Sequence, residues 1–300
     1  MLQVAFHSNY ELTLPVGHRF PMEKYGLLPQ QLLYEGTLTA ENFFEPTPLA
    51  EASILAIHQA DYWQKLKTLS LSPAEVRRSG FPLSQALVDR EITIAGGTIA
   101  CAHFAFEHGV SLNIAGGTHH AFPDRGEGFC LLNDQAIAAR YLLDNDLAQR
   151  IAIIDLDVHQ GDGTACIFGH EPRVFTFSMH GEKNYPLRKE TSDWDIPLPD
   201  QIEDEAYLSI LAQALPQIWE RAKPDFVFYQ AGVDVLASDK LGRLALSLEG
   251  CKTRDRLVLE TCHSTQTPLM ISMGGGYSPR IADIVEAHAN TFRFAQAIFG

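Results

Sequence analysis

The sequence predicts an α/β protein built on a single open parallel sheet flanked by helices on both faces. Three observations predict it. Short apolar runs of strand length alternate with longer stretches of helical period, the alternation that builds such sheets. The strand-length runs are almost wholly apolar, as in strands covered on both faces. The segments that follow several of them are rich in glycine, histidine and aspartate, and in open parallel sheets ligands bind beyond the carboxyl ends of the strands.

Each element follows from its own pattern. Residues 92–108 read as a helix, with Gly109 behind it as the C-cap residue. Residues 111–115 (Ser-Leu-Asn-Ile-Ala) read as a strand, and 133–145 as the next helix. Strands are expected at 151–154 and 174–177. In 204–223, Tyr207, Ile210, Leu211, Ala214, Leu215 and Ile218 fall on one helical stripe. Pro216 interrupts that stripe and predicts a kink. Strands at 226–229 and 269–272 and a helix over 281–299 complete the set. No repeat, low-complexity tract or linker divides the chain, so residues 1–300 are expected to form one domain.

Composition narrows the function. Lysine and arginine number 23 against 37 acidic residues, a net charge of −14. Such a chain is a poor binder of nucleic acid, whose phosphates need a basic surface, and of anionic membranes. The pair Arg77–Arg78 reads as a solvated loop. The first residues carry no basic, apolar leader pattern, and no run approaches the ~18 apolar residues of a membrane span. The five cysteines form no CxxC pair, which suits a reducing, cytoplasmic setting.

Four segments behind predicted strands carry the chemistry. They are Gly116-Gly117-Thr118-His119-His120, the run from Asp155 to Gly163, Gln230-Ala231-Gly232-Val233-Asp234, and Met273-Gly274-Gly275-Gly276-Tyr277. Asp155, Asp157 and His159 are spaced by two, so on an extended segment they point the same way. Asp157 and His159 suit a metal, with Asp234 as the natural third ligand. Two carboxylates and one imidazole leave the open position that catalytic zinc requires, although such a set is not strongly selective against iron(II). His119 and His120 suit proton transfer if carboxylates hold their tautomers, and Asp155 and Asp162 are available. Tyr277, behind three glycines, can donate to a carbonyl oxygen as it gains charge.

These residues resemble the histone deacetylase family. GGTHHA (116–121), GEGFC (126–130), DLDVHQGDG (155–163), AGVD (231–234) and GGGY (274–277) come in that family's order, and AGVDVLASDKLGRLALS (231–247) is most similar to its class IV branch and to bacterial histone-deacetylase-like amidohydrolases. The resemblance implies the arginase/deacetylase fold and zinc on Asp157, His159 and Asp234. It implies His120 as general base and acid, His119 as its electrostatic partner, Asp155 and Asp162 as their orienting carboxylates, and Tyr277 as the group that polarises the acyl carbonyl. Gly128, Phe129, Tyr185 and Gly275 would line the substrate channel, with Leu241 at its rim. A structural potassium ion would lie against Asp155, Asp157, His159, Ser178 and Met179. Phe168 and Val174 match a second monovalent-cation site, in which Glu171 stands in place of a neutral residue. Arg19 is the arginine nearest in sequence to the one the family keeps at an internal cavity.

The expected activity is removal of acetyl or longer acyl groups from lysine side chains of proteins or peptides, releasing a free amine and a carboxylate. Resemblance to class IV extends this to long chains, with the cavity wall sought in the loops after His7 and around 17–25. Acetylated polyamines or other small amines are the alternative substrates, and a non-catalytic acyl-lysine binder the alternative class. A two-metal ureohydrolase of the same fold is disfavoured, because Leu236 stands where a bridging aspartate is needed and the tandem histidines do not suit it.

Overall fold

The computed structural model describes residues 1–300. In chain order the elements are β1 (Gln3–Ala5), α1 (Lys24–Tyr34), β2 (Phe43–Phe44), α2 (Glu51–Leu55), α3 (Ala60–Lys67), α4 (Pro73–Ser79), α5 (Gln85–His108), β3 (Val110–Asn113), α6 (Asp134–Asp144), β4 (Ile151–Asp155), α7 (Asp162–Phe168), β5 (Val174–Gly181), β6 (Trp194–Leu198), α8 (Asp204–Ala222), β7 (Phe226–Gln230), α9 (Leu248–Ser264), β8 (Leu269–Ser272) and α10 (Ile281–Phe299). The eight strands form one sheet in the order β2-β1-β3-β8-β7-β4-β5-β6, parallel throughout. Helix α5 packs on the sheet with α6 against it, while α1, α10, α9 and α8 pack side by side in series. The predicted fold class is the observed one.

The five predicted strands exist, and every residue of β3, β4, β7 and β8 is buried. Three further strands were not legible. β1 and β2 are only three and two residues long. β6 contains Asp195 and Pro197, and a proline is tolerated there because β6 is an edge strand.

Helices α1, α2, α3, α4, α7 and α9 were not expected, and in two places buried charge hid helical pattern. α5 begins at Gln85, capped by the Ser84 side chain, seven residues before the expected start. Arg90 and Glu91 interrupt the apolar pattern there, but they are a buried ion pair. α9 went unpredicted for the same reason, since the buried pair Arg254–Asp255 lies within it. α8 runs through Pro216. Both Pro216 and Ala212, whose carbonyl the ring leaves unbonded, are exposed, so water can satisfy that carbonyl. Arg77 and Arg78 are not a loop but the last turn of α4, where cations complement the helix dipole.

Register aligns the strand ends. Asn113 pairs with Ser272, Ser272 with Gln230, Gln230 with Asp155, and Asp155 with Ser178. A polar row thus closes the apolar sheet at one level, and the four chemically loaded segments leave from it.

Candidate active site

The metal candidates lie where β4, β7 and β8 end. Asp157, His159 and Asp234 are buried and bring one ligand atom each to within 4.8 Å of the others. His159 Nδ1 stands 3.0 Å from Asp157 Oδ1 and 3.1 Å from Asp234 Oδ2. Backbone N–H groups hold the carboxylates in place. Gly275 N donates to Asp157 Oδ2 (2.8 Å), and Val158 N donates to Asp234 Oδ1 (3.0 Å). A Cβ at Gly275 would fall on the Asp234 carboxylate, and one at Gly232 on Asp157. These glycines admit the close approach that a side chain would block.

The donor set fits a divalent cation. Two buried carboxylates share one imidazole, an arrangement that leaves negative charge uncompensated in a poorly solvated place. Burial, and then the Asp157 charge, push Asp234 up to about 7. Burial works against His159, yet Asp157 and Asp234 pull it up to about 10. A cation between the carboxylates would relieve that imbalance. No second metal-sized cluster of His, Cys, Asp or Glu adjoins this one.

The two histidines stand beside the tripod in unlike environments. His119 Nδ1 donates to Asp155 Oδ2 at 2.7 Å, and His120 Nδ1 donates to Asp162 Oδ1 at 2.6 Å. Their rings are 4.1 Å apart between centroids. For His119, burial disfavours the cation but Asp155 and Asp157 outweigh it and raise the ring to about 9. For His120, burial and then the neighbouring His119 lower the ring to about 4. The two imidazoles thus stand in opposite surroundings, His119 against two carboxylates and His120 against His119.

Tyr277 faces the same space. Its backbone N–H donates to Asp239 Oδ2 (2.6 Å), and its ring packs 5.9 Å from both Phe20 and Phe129. Burial, and then Asp234, hold the phenol well above its ordinary range, so it stays a hydrogen-bond donor. Gly128, Phe129, Tyr185 and Leu241 line an outer basin of about 370 Å³, which Tyr277 also lines. Phe129 is held at a left-handed φ of 68°, and its N–H donates to Ser79 O. An inner cavity of about 40 Å³ lies deeper, lined by Phe20, Tyr25, Arg90 and Gly275 together with His119, His120, Asp157 and His159.

Several residues that shape the site escaped sequence reasoning. Asp134 accepts from Gly117 N, Thr118 N, Thr118 Oγ1 and Thr98 Oγ1 at 2.7–2.9 Å, clamping the loop that carries the histidines. Arg254 reaches from α9 to the carbonyls of Gly232 (2.6 Å) and Leu156 (3.2 Å), in the two metal loops. The buried cations behind the inner cavity are Lys24 and Arg90, not Arg19. Lys24 Nζ donates to Gly274 O at 3.0 Å, and burial, opposed by Asp234 and Asp157, lowers it to about 8. Arg19 is instead exposed at the mouth, over the Phe129 ring at 5.0 Å. Of the residues expected around potassium, Asp155 and Ser178 are register partners on β4 and β5. Glu171, by contrast, is committed to Arg140 and Arg173.

A parallel α/β sheet with a carboxylate–imidazole tripod that could hold a metal and two carboxylate-oriented histidines at its strand ends has the groups of a hydrolase. Comparison with known proteins specifies which. The histone deacetylase domain matches residues 18–292, and the chain belongs to the histone deacetylase family, amide hydrolases that act on acetylated substrates. It is 47% identical over 99% of both chains to an uncharacterised protein of Picosynechococcus sp.. It is 29% identical to histone deacetylase 2 of Arabidopsis thaliana, covering 95% of this chain and 76% of that one. It is 28% identical to the acetoin utilization protein AcuC of Staphylococcus aureus, covering 92% and 74%. Its fold matches the crystal structure of a histone deacetylase homolog from Aquifex aeolicus with a TM-score of 0.83, at 24% identity over 97% of this chain and 82% of that one.

Proposed function

We propose that this protein is a zinc-dependent deacetylase of acetyl-lysine side chains, acting as one catalytic domain over residues 1–300. The observation that carries the reading is convergence. Asp157 and His159 of the tripod, the paired histidines and the phenol come from three separate loops onto one cavity, and Asp234, from a fourth, reaches His159 at its edge. The contiguous hydrophobic core supports a single domain.

Asp157, His159 and Asp234 would hold the zinc, and iron(II) suits the same donors. When bound, the metal supplies Lewis acidity that polarises the acyl carbonyl and brings the pKa of a water from 15.7 to roughly 7. His120, kept neutral, takes the proton of the attacking water and later gives one to the departing amine. Asp162 holds its tautomer. His119, held by Asp155, is the electrostatic partner of His120 beside the developing anion. Tyr277 donates its phenolic proton to the carbonyl oxygen as that oxygen gains charge. Phe129, Gly128 and Tyr185 enclose the lysine stem, with Leu241 at the rim. The row around Asp155, Asp157, His159, Ser178 and Met179 would hold potassium. The unpaired cysteines support a cytoplasmic setting.

For the acyl group, we read against a long-chain preference. The loop around 17–25 does reach the inner cavity, through Phe20 and Tyr25, and the residues after His7 do not line it. At roughly 10–15 Å³ per water-sized occupant, about 40 Å³ suits an acetyl group and a water. The test is kcat/KM of metal-loaded protein on one peptide carrying acetyl-, hexanoyl-, decanoyl- or myristoyl-lysine. A fall from acetyl onward is expected. A rise with chain length would refute the acetyl preference, and no hydrolysis of any of them would refute the reading as a whole.

A further inference from the structure

Resting on the deacetylase reading, we infer that the preferred substrate is an acetyl-lysine flanked by acidic residues, recognised by a ring of cations at the channel mouth. The basin outside the site is lined by Arg19, Arg78, Lys183 and Arg243 and by no aspartate or glutamate. In a chain with 37 acidic residues and 23 basic ones, such a lining runs against the average composition. The four cations also come from four separate segments. Arg19 precedes α1, Arg78 ends α4, Lys183 follows β5, and Arg243 lies between β7 and α9. No local run of basic sequence brings them together; the fold does.

Their charge is only partly compensated. Lys183 and Arg243 share a single carboxylate, Asp200, at 3.8 and 3.3 Å. Arg78 stands 4.0 Å from Glu127, but Glu127 also receives Arg125 Nε at 2.6 Å and the Tyr185 hydroxyl at 2.5 Å. Arg19 makes no ion pair and lies over the Phe129 ring, beside the path of the substrate's lysine stem. Between them stand Leu187, 91% exposed, and the half-buried Leu241. The mouth is thus cationic with apolar elements, inside a molecule of net charge −14.

With a lysine stem in the channel, the neighbouring residues of its peptide lie across this basin, within the ~10 Å reach of charges at moderate salt. Acidic neighbours would be attracted and basic ones repelled. The second nitrogen of a polyamine would meet cations where it needs a carboxylate. A long polyanion would contact the rim but would also meet the acidic remainder of the surface, so a short acidic segment is the better complement. The effect belongs mostly to association, because a charged rim changes encounter more than it changes the reaction.

The experiment uses the metal-loaded full chain and peptides that share one acetyl-lysine, flanked by Asp/Glu, by Gln/Ser or by Lys/Arg. At ~0.02 M NaCl, where screening is weak, the acidic peptide should exceed the neutral one by about tenfold in kcat/KM, since each exposed pair contributes a factor of about two to three. The basic peptide should fall below the neutral one, and at ~0.5 M NaCl the differences should collapse. Combining Arg19→Glu with Arg243→Glu should reverse the order of acidic and basic peptides, with the thermal midpoint as the check on folding. If the neutral peptide is hydrolysed but the acidic one is no faster, the inference is wrong while the deacetylase reading stands. Hydrolysis of no peptide would remove that reading and the inference with it. Salt-sensitive binding of a short single-stranded RNA, without any acidic-peptide preference, would assign the rim to nucleic acid and also overturn it.

Discussion

Replacing Arg254 by methionine should weaken both the fold and metal binding, although the residue lies on a helix outside the cavity. Arg254 is fully buried and pairs with Asp255, with Nη2 at 2.7 Å and Nε at 2.9 Å from Oδ1. Its Nη1 binds the carbonyls of Leu156, next to Asp157, and of Gly232, two residues before Asp234. Without the guanidinium, Asp255 remains buried, supported only by the Tyr229 hydroxyl and Thr291 Oγ1, each at 2.6 Å. Breaking a buried pair from one side costs about 3–5 kcal/mol. Loss of the carbonyl contacts frees two metal loops, and removing such outer support typically lowers metal affinity about 10–100-fold. The assays are urea unfolding of the metal-free protein and chelator competition for zinc. Leu259→Ala is the control, since Leu259 is a fully buried residue of the same helix that makes no polar contact with those loops. It should cost about 2–5 kcal/mol through its cavity and leave metal affinity unchanged. If Arg254→Met leaves zinc affinity within about twofold of wild type, well short of an outer-support effect, or if Leu259→Ala lowers it as much, Arg254 does not position the metal loops.

Three further outcomes follow from the geometry. Asp157→Ala, His159→Ala and Asp234→Ala should each lose metal retention and hydrolysis together, and full occupancy in two of the three by metal analysis would sink the ligand assignment. Tyr277→Phe should keep its metal but lose about 10²–10³ in kcat, the usual loss of one oxyanion donor; wild-type turnover on a peptide amide would dismiss that role. His58 sets a pH limit on stability. Its Nδ1 donates to Phe122 O and its Nε2 accepts from Asn133 N, both at 3.0 Å, so the buried ring is neutral, and burial, opposed by the backbone carbonyls of Phe122 and Pro123, lowers it to about 4. Because the unfolded chain binds this proton near pH ~6.5, the stabilisation is present above that pH and is lost as pH falls toward 4, by about 3 kcal/mol. Urea unfolding at about pH 7 and about pH 4.5 should therefore show a steeper loss in wild type than in His58→Gln, and equal slopes would contradict it.

The sequence by itself determined the central strands, because β3, β4, β7 and β8 are buried throughout and such strands must be continuously apolar. It also marked the chemistry, since Asp155, Asp157 and His159 crowd one short segment behind a predicted strand, although that segment bends at 157–159 instead of running extended. The helix of 281–299 was legible too, with the bounds the structure shows. What only the tertiary structure decided is what depends on distant partners. Strand order is one such matter: β8 and β7 insert between β3 and β4, which brings the last two loops beside the first two. No local pattern encodes that insertion. Buried charge is another. Arg90–Glu91 and Arg254–Asp255 look like solvent-facing residues in sequence and hid a helix start and a whole helix, because only packing reveals that each charge has a partner. The size of the inner cavity and the cationic mouth belong to the same class. Each is set by side chains from several separate segments, and their distances to one another exist only after the chain has folded.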